Sequence, residues 1–196
     1  NVDSDRDGCV CKDGGVIVPD YYRDVYKMYV ENGWGSITSD PNYGGMGMPE
    51  LLNTAGGEIF TGACTSFTMM PGLTKSAANV ITQFCNDEQK AVYLEKMITG
   101  QWAGTMCLTE PVAGSDVGAS KTMAVPIDGK PGWFKITGVK SFITFGDNNI
   151  TENVIHLVLA RTPGAPPGIK GIGLFIVPKF RINEQTDAFD SGRSSG

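Results

Sequence analysis

The period of the apolar residues changes near Trp102, and a chain patterned this way must fold in two unlike parts. Upstream, Tyr21, Tyr22, Val25, Met28 and Tyr29 recur at helical spacing. They lie between Pro19, which suits a first helical turn, and Gly33, which suits the position past a helix end. A second helix is predicted after Pro49 from Leu51, Leu52, Ile59 and Phe60, weakened by Gly56-Gly57. A third covers residues 75–84. A fourth has Asn86 as N-cap, Asp87 and Glu88 in its first turn, Ala91, Val92, Leu94, Met97 and Ile98 on one face, and Gly100 beyond its end. Downstream, short apolar or alternating runs at 102–109, 121–125, 133–139, 155–161 and 172–178 are separated by turn clusters such as Asp128-Gly129-Lys130-Pro131-Gly132. These runs predict an antiparallel sheet or barrel. The fold class is therefore α+β: an α-helical domain over 16–103, then an antiparallel β-barrel-like domain over 104–180. A flexible start at 1–15 and a polar tail at 181–196 flank them.

Bulk properties narrow the function classes. The 196 residues are 41% hydrophobic, enough for cores in one or two domains. No apolar stretch approaches the ~20 residues of a membrane span. Asn1-Val2-Asp3-Ser4-Asp5 has neither an initiator Met nor a signal-peptide pattern, so a piece of a longer chain is expected. Residues 1–103 carry 7 Lys/Arg against 13 Asp/Glu and the remainder 9 against 8, so neither half offers the basic stripe of a nucleic-acid binder. Cys9, Cys11, Cys64, Cys85 and Cys107 lack paired C-x-x-C spacing and suit a reducing cytoplasm. Cys9 and Cys11 admit a metal or redox site, although solvated free thiols are the simpler reading. The lone His156, in an apolar run, is read as a strand histidine tied to a neighbour. With one histidine, His-rich metal centres and Ser/His triads lose their basis.

The chemistry concentrates in Met106-Cys107-Leu108-Thr109-Glu110-Pro111-Val112-Ala113-Gly114-Ser115-Asp116-Val117-Gly118-Ala119. This run begins extended, turns at Pro111 and Gly114, and offers hydroxyls and backbone N–H groups. Small residues let its main chain approach a phosphate or a planar ring closely. Leu108 and Thr109 point to opposite faces, so one reaches a ligand by its side chain and the other only by its backbone. Glu110 and Asp116 invite an acid/base role, but carboxylates in such turns bond nearby N–H groups, and that role is rejected. Gly44-Gly45-Met46-Gly47 has no preceding strand and is read as a plain turn, not half a dinucleotide fingerprint.

From Cys107 to Ala119 the run resembles the flavin-binding signature of the acyl-CoA dehydrogenases, small-apolar-Thr/Ser-Glu-x-x-small-Gly-Ser/Thr-Asp-x-x-small, at every restricted position. Lys140-Ser141-Phe142-Ile143-Thr144 is similar to the family's second flavin segment. Residues 152–161 and 168–179, with Gly33-Trp34-Gly35, residues 40–45 and Pro71-Gly72-Leu73-Thr74 upstream, resemble the 3-methylmercaptopropionyl-CoA dehydrogenase-like branch. The resemblance covers residues 16–180. It implies part of an N-terminal helical domain and most of a middle β domain, with the C-terminal four-helix bundle absent.

The resemblance also implies FAD, bound through Met106, Leu108, Thr109, Gly114, Ser115, Phe142, Ile143 and Thr144. Thr109 would meet the polar edge of the isoalloxazine and stabilise charge there. Ser115 and the N–H groups after Gly114 would hold the pyrophosphate, and Ser115 would also touch coenzyme A. Phe142, where most members have Trp, would pack on the flavin face without an indole donor. Read without the resemblance it is a core aromatic at a strand end. Thr144 matches a flavin-contacting hydroxyl, and Met106 stands where an aromatic is frequent. The polar loop 145–153 either reshapes a substrate mouth or is a tolerated surface insertion, the second being favoured.

The implied activity is α,β-dehydrogenation of an acyl-CoA to the 2-enoyl-CoA in fatty acid metabolism. Electrons would pass to an electron-transfer flavoprotein, and the full-length enzyme would be a cytoplasmic homo-oligomer. Its base is expected on the absent bundle, so this chain holds no catalytic residue and is expected to be inactive alone. The alternatives are an acyl-CoA oxidase using oxygen, or a non-catalytic flavin-binding or assembly module. Neither a nucleic acid nor a membrane is expected as a partner.

Overall fold

In the computed structural model, which describes residues 2–182 and 189–193, the chain divides into two units. One comprises Asn1–Thr105 with Phe145–Val154; the other comprises Met106–Thr144 with Ile155–Gly196.

The first unit is mainly helical. Where a flexible start was expected, α1 (Val2–Asp7) is followed by a hairpin of β1 (Val10–Lys12) and β2 (Gly15–Ile17). Its two-residue turn is Asp13-Gly14, at φ +51° and +72°, the left-handed geometry that matches strand twist. α2 (Asp20–Glu31) ends at Gly33, φ +73°. It carries two apolar stripes: Tyr22 and Tyr26 are buried, while Tyr21, Val25 and Met28 face outward. α3 (Glu50–Ala63) and α4 (Thr65–Phe84) are separated by the extended residue Cys64. Gly56 proves to be a packing requirement rather than a weakness, since a Cβ there would lie 2.9 Å from the Trp34 ring. α4 starts ten residues earlier than the sequence predicts and runs through Pro71, which lies buried within it. α5 (Asp87–Ile98) begins with the predicted Asn86 cap, closed into a capping box by Gln89. Val18, Tyr22, Tyr26, Phe67, Met70, Ala103 and Val154 form one core cluster of this unit. No helix among the described residues is long and apolar enough to cross a membrane.

The strands form a mixed sheet. β3 (Trp102–Cys107) leads into it, β4 (Met123–Pro126) and β5 (Phe134–Thr137) make an antiparallel hairpin, and β6 (Asn153–Arg161) pairs antiparallel with β7 (Ile172–Pro178). The order is β3-β6-β4-β5, with β7 also on β6. The expected antiparallel sheet or barrel is found as a sheet with one parallel pair: β4 meets β6 parallel, at Met123 and Arg161, and no barrel closes among the described residues. Parallel pairing follows from the connection. After β5 the chain leaves the sheet through residues 138–152 and re-enters along the direction of β4, as a crossover rather than a hairpin return. Part of the expected tail is also a pair of strands, β8 (Phe180–Ile182) and β9 (Phe189–Arg193). The rest of that tail, at 183–188 and 194–196, lies outside the described residues.

Candidate functional site

The signature run leaves β3 and folds back at once. Glu110 and Ala113 exchange backbone hydrogen bonds of 2.9 and 3.1 Å around Pro111-Val112, so the sharp turn is at Pro111-Val112 and Gly114 lies just past it. Gly114, Ser115 and Asp116 then lie exposed before a 3-10 turn over Val117–Ala119. A Cβ on Gly114 would meet nothing within 4 Å, so the chain's own packing makes no demand for glycine there.

The second segment, 31 to 36 residues after Thr109 or Leu108 in sequence, is brought against this run by three bonds. Ser141 N–H donates to the Thr109 carbonyl at 2.9 Å. The Lys140 ammonium donates to the Leu108 carbonyl at 3.0 Å and to Glu110 Oε1 at 2.9 Å. Both charged side chains are buried, Glu110 with 4% and Lys140 with 10% of the side chain exposed. Glu110 is further satisfied by Lys121 N–H (2.7 Å), Thr122 N–H (3.1 Å) and the Thr122 hydroxyl (2.6 Å). Burial alone would raise its pKa. The donors, led by the Thr122 hydroxyl and Lys121 N–H and joined by Lys140, outweigh that and hold it near about 2. Glu110 is thus a buried strut, ionised near neutral pH.

Phe142 is neither in a strand nor in a core. It is 93% exposed, with φ +59°, a left-handed conformation uncommon for an aromatic residue. Such strain concentrates where a side chain meets a ligand. Met106, Leu108, Thr109, Ile143 and Thr144 are half-buried. The structure therefore gathers Leu108, Thr109 and the segment beginning at Lys140, and leaves Gly114, Ser115 and Phe142 open to solvent.

Other sequence readings resolve on geometry. His156 Nδ1 lies 3.9 Å from the Cys107 sulfur, the neighbour expected for a strand histidine. Burial pushes the Cys107 thiol up to about 11. Cys9 and Cys11 are exposed free thiols, and no metal-binding cluster occurs among the described residues. In Gly44-Gly45-Met46-Gly47, Gly44 caps the 3-10 turn Pro41–Tyr43, and Gly44 and Gly47 have positive φ. The loop 145–153 is tied to the helical unit. Asp147 and Asn149 accept the N–H groups of Val16 (3.1 Å) and Val18 (3.0 Å), completing the β2 edge, and Asn148 and Asn153 are buried. Sequence reasoning assigned Lys140 no role and passed over Arg161. For Lys140 the one trace is a charge opposite to that of Glu110 in the other segment, which does not by itself pair them.

Comparison with known proteins divides the chain at the start of β3, between residues 101 and 105. Residues 15–101 match the acyl-CoA dehydrogenase N-terminal domain and residues 105–189 the acyl-CoA dehydrogenase middle domain. A 3-methylmercaptopropionyl-CoA dehydrogenase of Ruegeria pomeroyi is 45% identical over 180 residues, covering 92% of this chain and 30% of that protein. Among solved structures, an electron transferring flavoprotein of Acidaminococcus fermentans aligns with TM-score 0.69 at 30% identity, over 83% of this chain and 42% of that one. An acyl-CoA dehydrogenase complexed with FAD from Bacillus anthracis aligns with TM-score 0.67 at 27% identity, over 82% and 26%. The chain thus spans less than half the length of each of these proteins.

Proposed function

Because the chain belongs to the acyl-CoA dehydrogenase family, we propose that it supplies the FAD-binding portion of an enzyme that oxidises acyl-CoA thioesters to 2-enoyl-CoA. The observation that carries this reading is the bond from Ser141 N–H to the Thr109 carbonyl, with Lys140 beside it, because it unites two segments that are flavin-like only by pattern. The residues present fit the cofactor. Exposed main chain at Gly114–Asp116 suits a phosphate, the open Phe142 ring suits a planar heterocycle, and the Ser120 hydroxyl is buried without a hydrogen-bond partner.

Bound FAD would accept the hydride leaving the substrate's β-carbon while a base removes the α-proton. The chain's own work is to bind and orient: Thr109 and Thr144 at the ring's polar edge, Met106, Leu108 and Ile143 beside it, Phe142 on its face, and Ser115 at the pyrophosphate and coenzyme A. Glu110 is committed to Lys140 and Thr122 and is not the base in this reading, which puts the base outside these residues and has the chain inactive alone. Short or thioether-bearing acyl-CoA substrates, an electron-transfer flavoprotein as acceptor, homo-oligomeric assembly and a cytoplasmic setting belong to the same reading. The free thiols and the similarity to the Ruegeria protein support it.

The test is FAD titration of the full-length protein and of its Phe142→Ala variant, followed by addition of acyl-CoA. Tight binding by the parent, at least about tenfold weaker binding by the variant, and bleaching of the flavin by acyl-CoA are expected. A folded parent that binds no FAD sinks the reading.

A further inference from the structure

Arg161, the last residue of β6, spends its guanidinium on main-chain carbonyls. Nε donates to Ser120 O at 3.0 Å, Nη1 to Pro166 O at 3.0 Å, and Nη2 to Gly168 O at 2.7 Å and to Gly118 O. Two acceptors belong to the loop that follows Ser115, and two to the β6–β7 connection. The fit leaves no slack. A Cβ on Gly171 would lie 1.8 Å from Pro166 O and 2.6 Å from Arg161 Nη1, and one on Gly118 would lie 3.3 Å from Gly168 Cα.

The peptide joining Ser120 to Lys121 is held from both sides. Its carbonyl meets Arg161, and its N–H, opposite in a trans peptide, donates to Glu110 Oε2 at 2.7 Å. Glu110 is in turn bonded to Lys140, and Lys140 to the Leu108 carbonyl. One path of bonds therefore runs from Arg161 through a polarised amide and Glu110 to Lys140, touching both segments of the site. Charged donors make the stronger hydrogen bonds, and only the planar fork of arginine reaches several acceptors in fixed directions.

We propose that Arg161 is a positioning residue for the loop after Ser115. By drawing the Gly118 and Ser120 carbonyls onto itself, it fixes the path of the main chain that receives the FAD pyrophosphate. It also keeps those two carbonyl oxygens from turning toward the anion. This rests on the flavin reading above.

The test compares Arg161→Met and Arg161→Lys with the parent, as full-length proteins, by FAD titration, thermal midpoint and the shape of the bound flavin's visible band. The methionine variant should bind FAD at least about tenfold more weakly, the effect of losing one hydrogen bond to a charged group. Lysine keeps the charge but not the fork, and should recover only part of that affinity. FAD binding by either folded variant within about twofold of the parent, with an unchanged flavin band, overturns the proposal and leaves the flavin reading standing. If the methionine variant does not fold, the lysine variant decides on the same criteria. A folded parent that binds no FAD removes both.

Discussion

Replacing Glu110 with glutamine tests the strut beneath the site. The carboxyl sits at about 2 against an ordinary 4.5. At about 1.36 kcal/mol per unit, that difference corresponds to about 3 kcal/mol of stability. The sign follows from the direction. A carboxyl whose folded value is lowered contributes fully above its unfolded value and loses that contribution as pH falls from about 5 toward 2. Glutamine keeps the shape but leaves the Lys140 ammonium buried with the Leu108 carbonyl and no charge partner, and breaking such a pair costs about 3–5 kcal/mol. Urea unfolding of both proteins, repeated from neutral to acid pH, reads the effect. Glu110→Gln should be about 3 kcal/mol less stable near neutrality, and the gap should narrow once the pH drops below about 4.5. Asp7 and Glu50, also lowered by cationic partners but exposed, titrate in both proteins and cancel in the difference. A gap below about 0.5 kcal/mol at neutral pH, or one that stays constant into acid, would refute the argument.

Two further predictions concern the helical unit. Asn86→Ala removes the acceptor of the Gln89 N–H at 2.8 Å and should cost about 1 kcal/mol in a denaturant titration, whereas Asn86→Asp should cost little. Gly57→Ala, with nothing within 4 Å of the new methyl group, should raise stability by about 0.5–1 kcal/mol through helix propensity. Gly56→Ala should lose that gain because the Trp34 ring must shift from its edge contact with Phe60, at 5.1 Å between centroids; equal thermal midpoints for the two variants would contradict this.

Features with a local cause were legible in the sequence. Asn86 followed three residues later by Gln89 specifies a helix start, and Gly33 and Gly100 mark ends through the positive φ they adopt, +73° and +77°. Asp13-Gly14 was an equally local hairpin signal, but the three-residue strands around it carry no alternation long enough to register. Pro71-Gly72 reads as a helix breaker, yet α4 continues through it because tertiary burial of Phe67, Met70, Thr74, Ala77 and Ile81 outweighs the local penalty. In α2 the stripes Tyr21/Val25/Met28 and Tyr22/Tyr26/Tyr29 have the same spacing, so periodicity does not choose between them. Hydroxyl chemistry favours the second: Tyr26 donates to Gly100 O at 3.0 Å and Tyr22 shares a 2.6 Å hydrogen bond with Ser66, so these rings are buried with their polar ends satisfied.

The candidate site divides along the same line. Its two segments were visible as patterns, since turn chemistry and small residues are local. Their joining was not, because the Ser141–Thr109 bond and the Lys140–Glu110 pair span 32 and 30 residues, and nothing beside either residue announces its partner. The parallel meeting of β4 and β6 has the same character, as it depends on where residues 138–152 carry the chain before it re-enters the sheet. Arg161 was the hardest residue to see. A strand-ending arginine reads as a solvated charge, and its four acceptors are backbone carbonyls, which leave no mark in side-chain sequence. What sequence does record is the room those bonds require: Gly171 and Gly118 sit where a Cβ would strike the Pro166 carbonyl or crowd Gly168. Glycines flanking an arginine's acceptors are therefore the trace by which a carbonyl-bound guanidinium of this kind is found.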